Sequence, residues 1–394
     1  MRIGMFSECF EPVQNGVSIS VRTLVDELRA RRHHVFVVAP HHPDHQHTPF
    51  VLRVPSWVTP FNTTYPVSYP FFPRLRRKLC RVGPHLLHSH QPFFLGLLAA
   101  RLARQADIPL VSTYHTLYNH YGHYLFFLPG LARQTLLEWW LPEYYNRCTC
   151  VIVPSRIAEE SLRRYGVRTR IEVIPTAVPI PPPSRIDEAA CLAVREQWGI
   201  PPAAPLLLYV GRLAKEKNLE LVFHAFEHLA PEFPEARLMV VGGGPNEEEY
   251  RKRAHTMASG ERIIFTGAMP RKEIDPVYAA ADLFVFGSTT ETQGLVVAEA
   301  RAAGTPCVVV DKGGASENVR DGEDGLVVPP SLQPFTSAVR ALLRDRPRLL
   351  AMREACRRNA LHYTPNAMAE RVTEVYEWAL ETYRPQTATA SHRK

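Results

Sequence analysis

Short, nearly unbroken apolar runs alternate along this chain with longer segments of helix length. In the first half the runs fall at Arg2–Phe6, His34–Ala39, Leu86–Ser89, Leu110–Thr113, Cys150–Val153 and Glu172–Ile174, with helices expected at Ser18–Arg31, Phe94–Gln105 and Ser155–Tyr165. Runs that stay apolar suit strands covered on both faces, and their alternation with helices predicts a parallel, doubly wound α/β sheet. The stretch Pro179–Ser184, with Pro181, Pro182 and Pro183 in succession, reads as a stiff linker. Beyond it the pattern restarts at Leu206–Val210, Arg237–Val241, Ile263–Phe265, Leu283–Phe286, Cys307–Val310 and Leu326–Val328. The expected organisation is a first Rossmann-like domain over 1–178, a linker over 179–184 and a second domain over 185–365. A last helix over 366–384 is expected near the hinge, followed by a disordered tail, 385–394.

Nearly every strand of the second half runs into glycine: Gly211, Gly242 to Gly244, Gly267, Gly287, then Gly313 and Gly314. Ligands of open α/β sheets bind beyond the carboxyl ends of the strands, where glycine lets the backbone come close. After the Leu283–Phe286 run, Glu291-Thr-Gln-Gly-Leu-Val-Val-Ala-Glu299 carries two glutamates around Gly294 and leads into a helix. A helix start offers unpaired N–H groups to an anion. Carboxylates there do not serve phosphates, so Glu291 and Glu299 point to hydroxyls, such as those of a sugar and a ribose. Gly211-Arg212-Leu-Ala-Lys-Glu-Lys217-Asn218 follows another strand, and Arg212 and Lys217 suit a pyrophosphate. The plainer alternatives are an acidic helix start and a solvated basic loop.

Charge narrows the partners. Residues 1–180 carry 20 Arg and Lys against 11 Asp and Glu, a net of +9, and the remainder 26 against 28, a net of −2. Nucleic acid and anionic lipid both fit a basic first half. Seven scattered cysteines suggest reduced thiols in a cytosolic protein, with Cys148 and Cys150 in the core. The first residues are too short an apolar stretch for a secretory signal, and no run approaches the roughly 20 apolar residues of a membrane span. The histidines of His41–His47 could hold a transition metal, but read more simply as a loop.

Taken together, Gly211-Arg212 with Glu216-Lys217-Asn218, Gly242-Gly243-Gly244-Pro245 and Glu291 with Glu299 resemble the motif set of retaining glycosyltransferases of family four. The resemblance covers most of the chain. It implies a GT-B fold, two facing Rossmann-like domains with a cleft between them, and a nucleotide-sugar donor with neither cofactor nor metal. It implies that Arg212 and Lys217 hold the donor diphosphate, with the amides around Gly294 and Leu295. Glu291 would contact the sugar, and Glu299, with Gly243 and Gly244, the nucleoside. In the first domain Pro12-Val-Gln-Asn-Gly16-Val17 resembles the family's glycine loop beside the donor phosphates, and His115 its histidine on the donor sugar.

The run Thr113-Tyr114-His115-Thr-Leu-Tyr118-Asn-His-Tyr121-Gly-His-Tyr124 resembles the subgroup that glucosylates diacylglycerol, although Asn119 stands where that subgroup often has an acid. This implies UDP-glucose as donor, a lipid acceptor and a peripheral place on the cytoplasmic face of the cell membrane. Tyr114, Tyr118 and Tyr121, with Arg74, Arg76, Arg77 and Lys78, are then expected at the acceptor or an anionic membrane surface. The alternative is a buried aromatic core beside a solvated basic helix. Other readings are a transferase with a soluble or polysaccharide acceptor and a UDP-sugar epimerase. A nucleic-acid-binding protein would leave the glycine-rich edges and both glutamates without a purpose. A dinucleotide oxidoreductase fails for want of the G-x-G-x-x-G spacing.

Overall fold

The computed structural model describes residues 1–13, 15–45, 47–59, 62–68, 73–118 and 130–385. It divides into two compact units, Met1–Ala177 with the chain from Pro365 onward, and Val178–Thr364. Pro179–Ser184 thus lies at the start of the second unit.

The first unit contains β1 (Arg2–Phe6), α1 (Gly16–Ala30), β2 (His34–Pro40), β3 (Val51–Val54), β4 (Ser56–Thr59), β5 (Asn62–Ser68) and α2 (Pro73–Val82). It continues through β6 (Leu86–Ser89), α3 (Phe94–Ala106), β7 (Leu110–Thr113), α4 (Gly130–Tyr145), β8 (Cys150–Val153), α5 (Arg156–Arg164) and β9 (Ile171–Val173). Seven strands form one sheet in the order β3-β2-β1-β6-β7-β8-β9, parallel throughout. The aromatic stretch from Trp57 instead folds back as the antiparallel hairpin β4–β5.

The second unit runs α6 (Glu188–Gln197), β10 (Leu206–Val210), α7 (Leu219–Leu229), β11 (Arg237–Val241), α8 (Glu247–His255), β12 (Ile263–Gly267), α9 (Arg271–Ala280) and β13 (Leu283–Phe286). It closes with α10 (Leu295–Ala302), β14 (Cys307–Val310), β15 (Gly325–Val328), α11 (Leu332–Arg344) and α12 (Arg346–Ala360). Its parallel sheet has the order β12-β11-β10-β13-β14-β15. The chain then returns to the first unit as α13 (Pro365–Thr382). The helix α13 packs Met368, Val372, Val375 and Tyr376 into the core formed by β1, β2 and α1. The tail from Gln386 lies outside the described residues.

Both sheets reverse their strand order beside their first strand, between β1 and β6 and between β10 and β13. Diverging connections open a crevice at such a switch point, so the loops after these four strands are where chemistry belongs.

Candidate functional site

In the second unit the loops after β10 and β13 are laced together. Asn218 takes a left-handed conformation (φ 51°) to begin α7, and its side-chain amide donates to the Gly287 carbonyl at 3.0 Å. Thr290 Oγ1 donates to the Glu216 carbonyl at 3.2 Å. This lacing brings together two residues singled out in the sequence: Lys217 Nζ donates to Glu291 Oε1 at 2.6 Å. The two side chains are only 12% and 14% exposed, and Ser288 Oγ donates to the same carboxylate oxygen at 3.0 Å. Arg212 is exposed at the head of the β10 loop, its neighbour Leu213 pinned by a backbone bond from Leu213 N–H to the Gly243 carbonyl.

The glycines after β11 have distinct purposes. A Cβ on Gly244 would sit 2.5 Å from the Leu213 carbonyl oxygen, so this glycine is needed for loop-against-loop packing. A Cβ on Gly243 meets nothing nearer than Glu247 Oε2 at 3.5 Å, which leaves its face open to a ligand.

Helix α10 starts at Gly294 (φ 76°) with no side-chain cap, so the amides at Leu295 and beyond carry the positive end of a helix dipole. The loop is braced from behind, where Gly314 N–H donates to the Glu291 carbonyl at 2.7 Å and Asn318 Nδ2 donates to the Gln293 carbonyl. One turn into α10, Glu299 Oε2 accepts a hydrogen bond from Tyr278 Oη at 2.9 Å. Tyr278 is fully buried on α9, and nothing in its sequence context singles it out.

In the first unit Asn15 caps α1 and shares a reciprocal capping box with Ser18, so Gly16 is the first helical residue and is exposed. Glu8, after β1, and Gln91, after β6, meet at the crevice: Glu8 N–H donates to Gln91 Oε1 at 2.9 Å. The Glu8 carboxylate accepts from Leu95 N–H, at the start of α3, and from Ser68 Oγ. Burial pushes its pKa above the usual carboxylate value, and these hydrogen bonds oppose that. His115 stands two residues beyond β7, its Nε2 3.0 Å from His90 Nδ1. Burial holds its pKa down at about 4, so the ring is neutral at ordinary pH. Sequence reasoning missed Glu8, His90 and Gln91; the available signal was His88-Ser89-His90-Gln91, polar residues closing an apolar strand.

The tyrosines divide differently from the membrane reading. Tyr114 is fully buried in the core with Leu117, Tyr144 and Tyr145, so it cannot meet a bilayer or a surface ligand. Tyr118 is partly buried against that same core, edge-on to Phe93 and Tyr114. Their pattern belongs to packing, because Tyr114 continues inward from the end of β7. Tyr121 lies outside the described residues, as do the side chains of Arg74, Arg76 and Lys78; Arg77 is exposed on α2, whose Leu75 and Leu79 are buried. Among the described residues no group of three His, Cys, Asp or Glu is placed to hold a metal ion, and no helix is long and apolar enough to cross a membrane. In the His41–His47 loop, His41 and His45 meet edge to face at 4.7 Å.

Two parallel Rossmann-like sheets, with a cation and a carboxylate paired at a switch point ahead of an uncapped helix, fit a glycosyltransferase of GT-B type. The family models agree: residues 14–180 match "Glycosyltransferase Family 4" and residues 193–362 match "Glycosyl transferases group 1". The chain is 32% identical over 315 residues to the alpha-monoglucosyldiacylglycerol synthase of Streptococcus pneumoniae, covering 78% of this chain and 70% of that one. It is 30% identical over 336 residues to the synthase of that name from Acholeplasma laidlawii, covering 83% and 84%. A GDP-mannose-dependent alpha-mannosyltransferase of Corynebacterium glutamicum is 29% identical, covering 83% and 76%. Among solved structures, sucrose-phosphate synthase from Thermosynechococcus elongatus superimposes with a TM-score of 0.75 at 22% identity, over 96% of this chain and 99% of that one. Anabaena HepE in complex with UDP and glucose gives 0.73 at 18% identity, over 96% and 100%. The chain belongs to glycosyltransferase family 4 and is a hexosyl-transferring enzyme.

Proposed function

We propose that this enzyme transfers glucose from UDP-glucose to 1,2-diacylglycerol, with retention at the anomeric carbon, on the cytoplasmic face of a membrane. The observation that supports the donor half is the Lys217–Glu291 pair, a cation and an acid set side by side, hardly exposed, on the loops after β10 and β13. Lys217, Arg212 and the amides at Gly294 and Leu295 take the charge of the leaving diphosphate, the kind of electrostatic help that dominates such reactions. Glu291 and His115 orient the sugar, and Glu299 holds the ribose. Gly16, at the start of α1, is a further phosphate contact in this reading. As the sugar–phosphate bond breaks, the acceptor hydroxyl bonds to the anomeric carbon from the same face and its proton passes to the departing phosphate oxygen. With side-chain cations and helix amides carrying the charge, no metal is needed.

The lipid half is supported by the two synthase relatives and by the first unit's surface. Trp139 is 61% exposed, and Leu136 and Phe94 are also open to solvent, on the unit that carries the basic excess. The mannosyltransferase relative favours a second reading, GDP-mannose as donor. The test supplies labelled UDP-glucose or GDP-mannose with anionic vesicles, with and without diacylglycerol. The expected product is an alkali-labile α-glucosyl lipid that requires both UDP-glucose and diacylglycerol. Label moving only from GDP-mannose, or only to a soluble acceptor, would replace this reading. The same vesicles test the surface: each exposed cation contributes about 1 kcal/mol on an anionic leaflet. Neutralising Arg74, Arg76, Arg77 and Lys78 should leave the protein in the supernatant after pelleting, as should high salt.

A further inference from the structure

Strand β6 closes with His88 and Ser89 and is followed at once by His90; the two imidazoles are both buried, 0% and 1% exposed. His88 has a partner at each nitrogen, Tyr376 Oη 2.6 Å from Nδ1 and Thr113 Oγ1 2.7 Å from Nε2. His90 is only half satisfied. Its Nδ1 faces His115 Nε2 at 3.0 Å, with the rings 25° from coplanar and their centroids 5.3 Å apart, as an in-plane hydrogen bond requires. Its Nε2 is buried and has no partner among the described residues.

Burial keeps both rings neutral, His115 near 4 and His90 well below its ordinary value, so one proton lies between the two facing nitrogens. If His115 supplied it, His90 would carry its own proton on Nε2, an orphan N–H in the interior. A buried donor without an acceptor is costly and rare, and an acceptor without a donor is the lesser fault. The other arrangement puts the proton on His90 Nδ1 and leaves only a bare Nε2 inside.

We propose that His90 is a positioning residue: its Nδ1–H donates to His115 Nε2 and locks His115 in the tautomer that carries its proton on Nδ1. His115 then offers the substrate an N–H donor rather than a basic nitrogen. It holds a sugar oxygen in place, and the acceptor's proton goes elsewhere. This rests on the reading of His115 as a sugar contact.

Two measurements test it. Long-range proton–nitrogen correlation spectra of the full chain with labelled histidine, assigned with His90→Asn and His115→Asn, should show a neutral His115 protonated at Nδ1. A His115 protonated at Nε2 overturns the proposal whatever the kinetics. In transfer assays His90→Leu should lower kcat by on the order of a hundredfold, the scale of a small misplacement, while the UDP dissociation constant stays put. His90→Asn keeps an N–H where Nδ1 was and should restore most of kcat; His90→Asp, which only accepts there, should not. If Asn is as impaired as Leu in variants of equal Tm, the donor role is wrong. A Nδ1-protonated His115 whose Ala variant turns over normally would support the tautomer lock and remove the sugar-contact reading instead.

Discussion

Lys217 and Glu291 neutralise each other across a nearly closed contact, so each depends on the other for stability as well as for any role in transfer. Removing one member of such a pair leaves a poorly solvated charge, commonly costing 3–5 kcal/mol when burial is complete and less here. Lys217→Ala should therefore lower Tm and reduce transfer by about 10²–10³-fold. The double change Lys217→Ala with Glu291→Gln should recover Tm and none of the transfer; recovery of both would make the pair purely structural. Tyr278 Oη donates a hydrogen bond to Glu299, and a bond to a charged group is worth roughly a factor of ten. Tyr278→Phe should weaken UDP by about that factor in calorimetry and leave kcat at saturating donor nearly unchanged. Lys217 and Glu291 were legible in sequence because each follows a strand end with its own glycine. Tyr278, Glu8, His90 and Gln91 were not, because their meaning lies in partners 21, 83 or 25 residues away.

Elements were readable where burial imposed one pattern. Strands β1, β6, β7, β8, β10, β11, β13 and β14 match their apolar runs residue for residue, since a central parallel strand must be apolar on both faces. Strand β9 lies one residue earlier than expected, β3, the β4–β5 hairpin and α4 went unread, and α2 was read only as the basic helix of the alternative. They sit at sheet edges or carry mixed faces: Leu75 and Leu79 are too few in α2 to stand out from its arginines, and α4 includes Pro142. The start of α10 makes an element-level prediction. Gly294 has φ 76°, and a Cβ there would come 2.9 Å from Ala315 Cβ, so Gly294→Ala adds backbone strain and a clash. Both shift the amides proposed above to take the phosphate. The thermal stabilisation conferred by saturating UDP should largely vanish in this variant. An unchanged UDP shift would separate α10 from the diphosphate.

At the scale of the whole molecule, the two-unit plan follows from a pattern that begins twice, whereas the return of α13 was hidden, because a helix names its apolar face and not the unit that covers it. That return also closes the histidine cluster from behind, through Tyr376, and gives the first unit a distinct response to acid. Burial holds His88 down at about 3 and His115 at about 4, with His90 also well below 6.5. Above pH 6.5 neither the folded nor the unfolded chain protonates these rings, so they add no slope. Below 6.5 the unfolded chain takes up protons that the folded one refuses, and stability falls with pH by up to about 1.4 kcal/mol per unit for each ring. The loss runs from 6.5 down to about 4 for His115 and to about 3 for His88. His33 and His85, lowered by partial burial, steepen the upper end. Four of the five tryptophans, Trp57, Trp139, Trp140 and Trp378, lie in this unit, so intrinsic fluorescence is weighted towards it. The fluorescence-detected urea midpoint should drop steeply between pH 6.5 and 5, and His115→Asn should flatten the drop. A midpoint level across that range would mean that water reaches these imidazoles and that the cluster is open rather than buried.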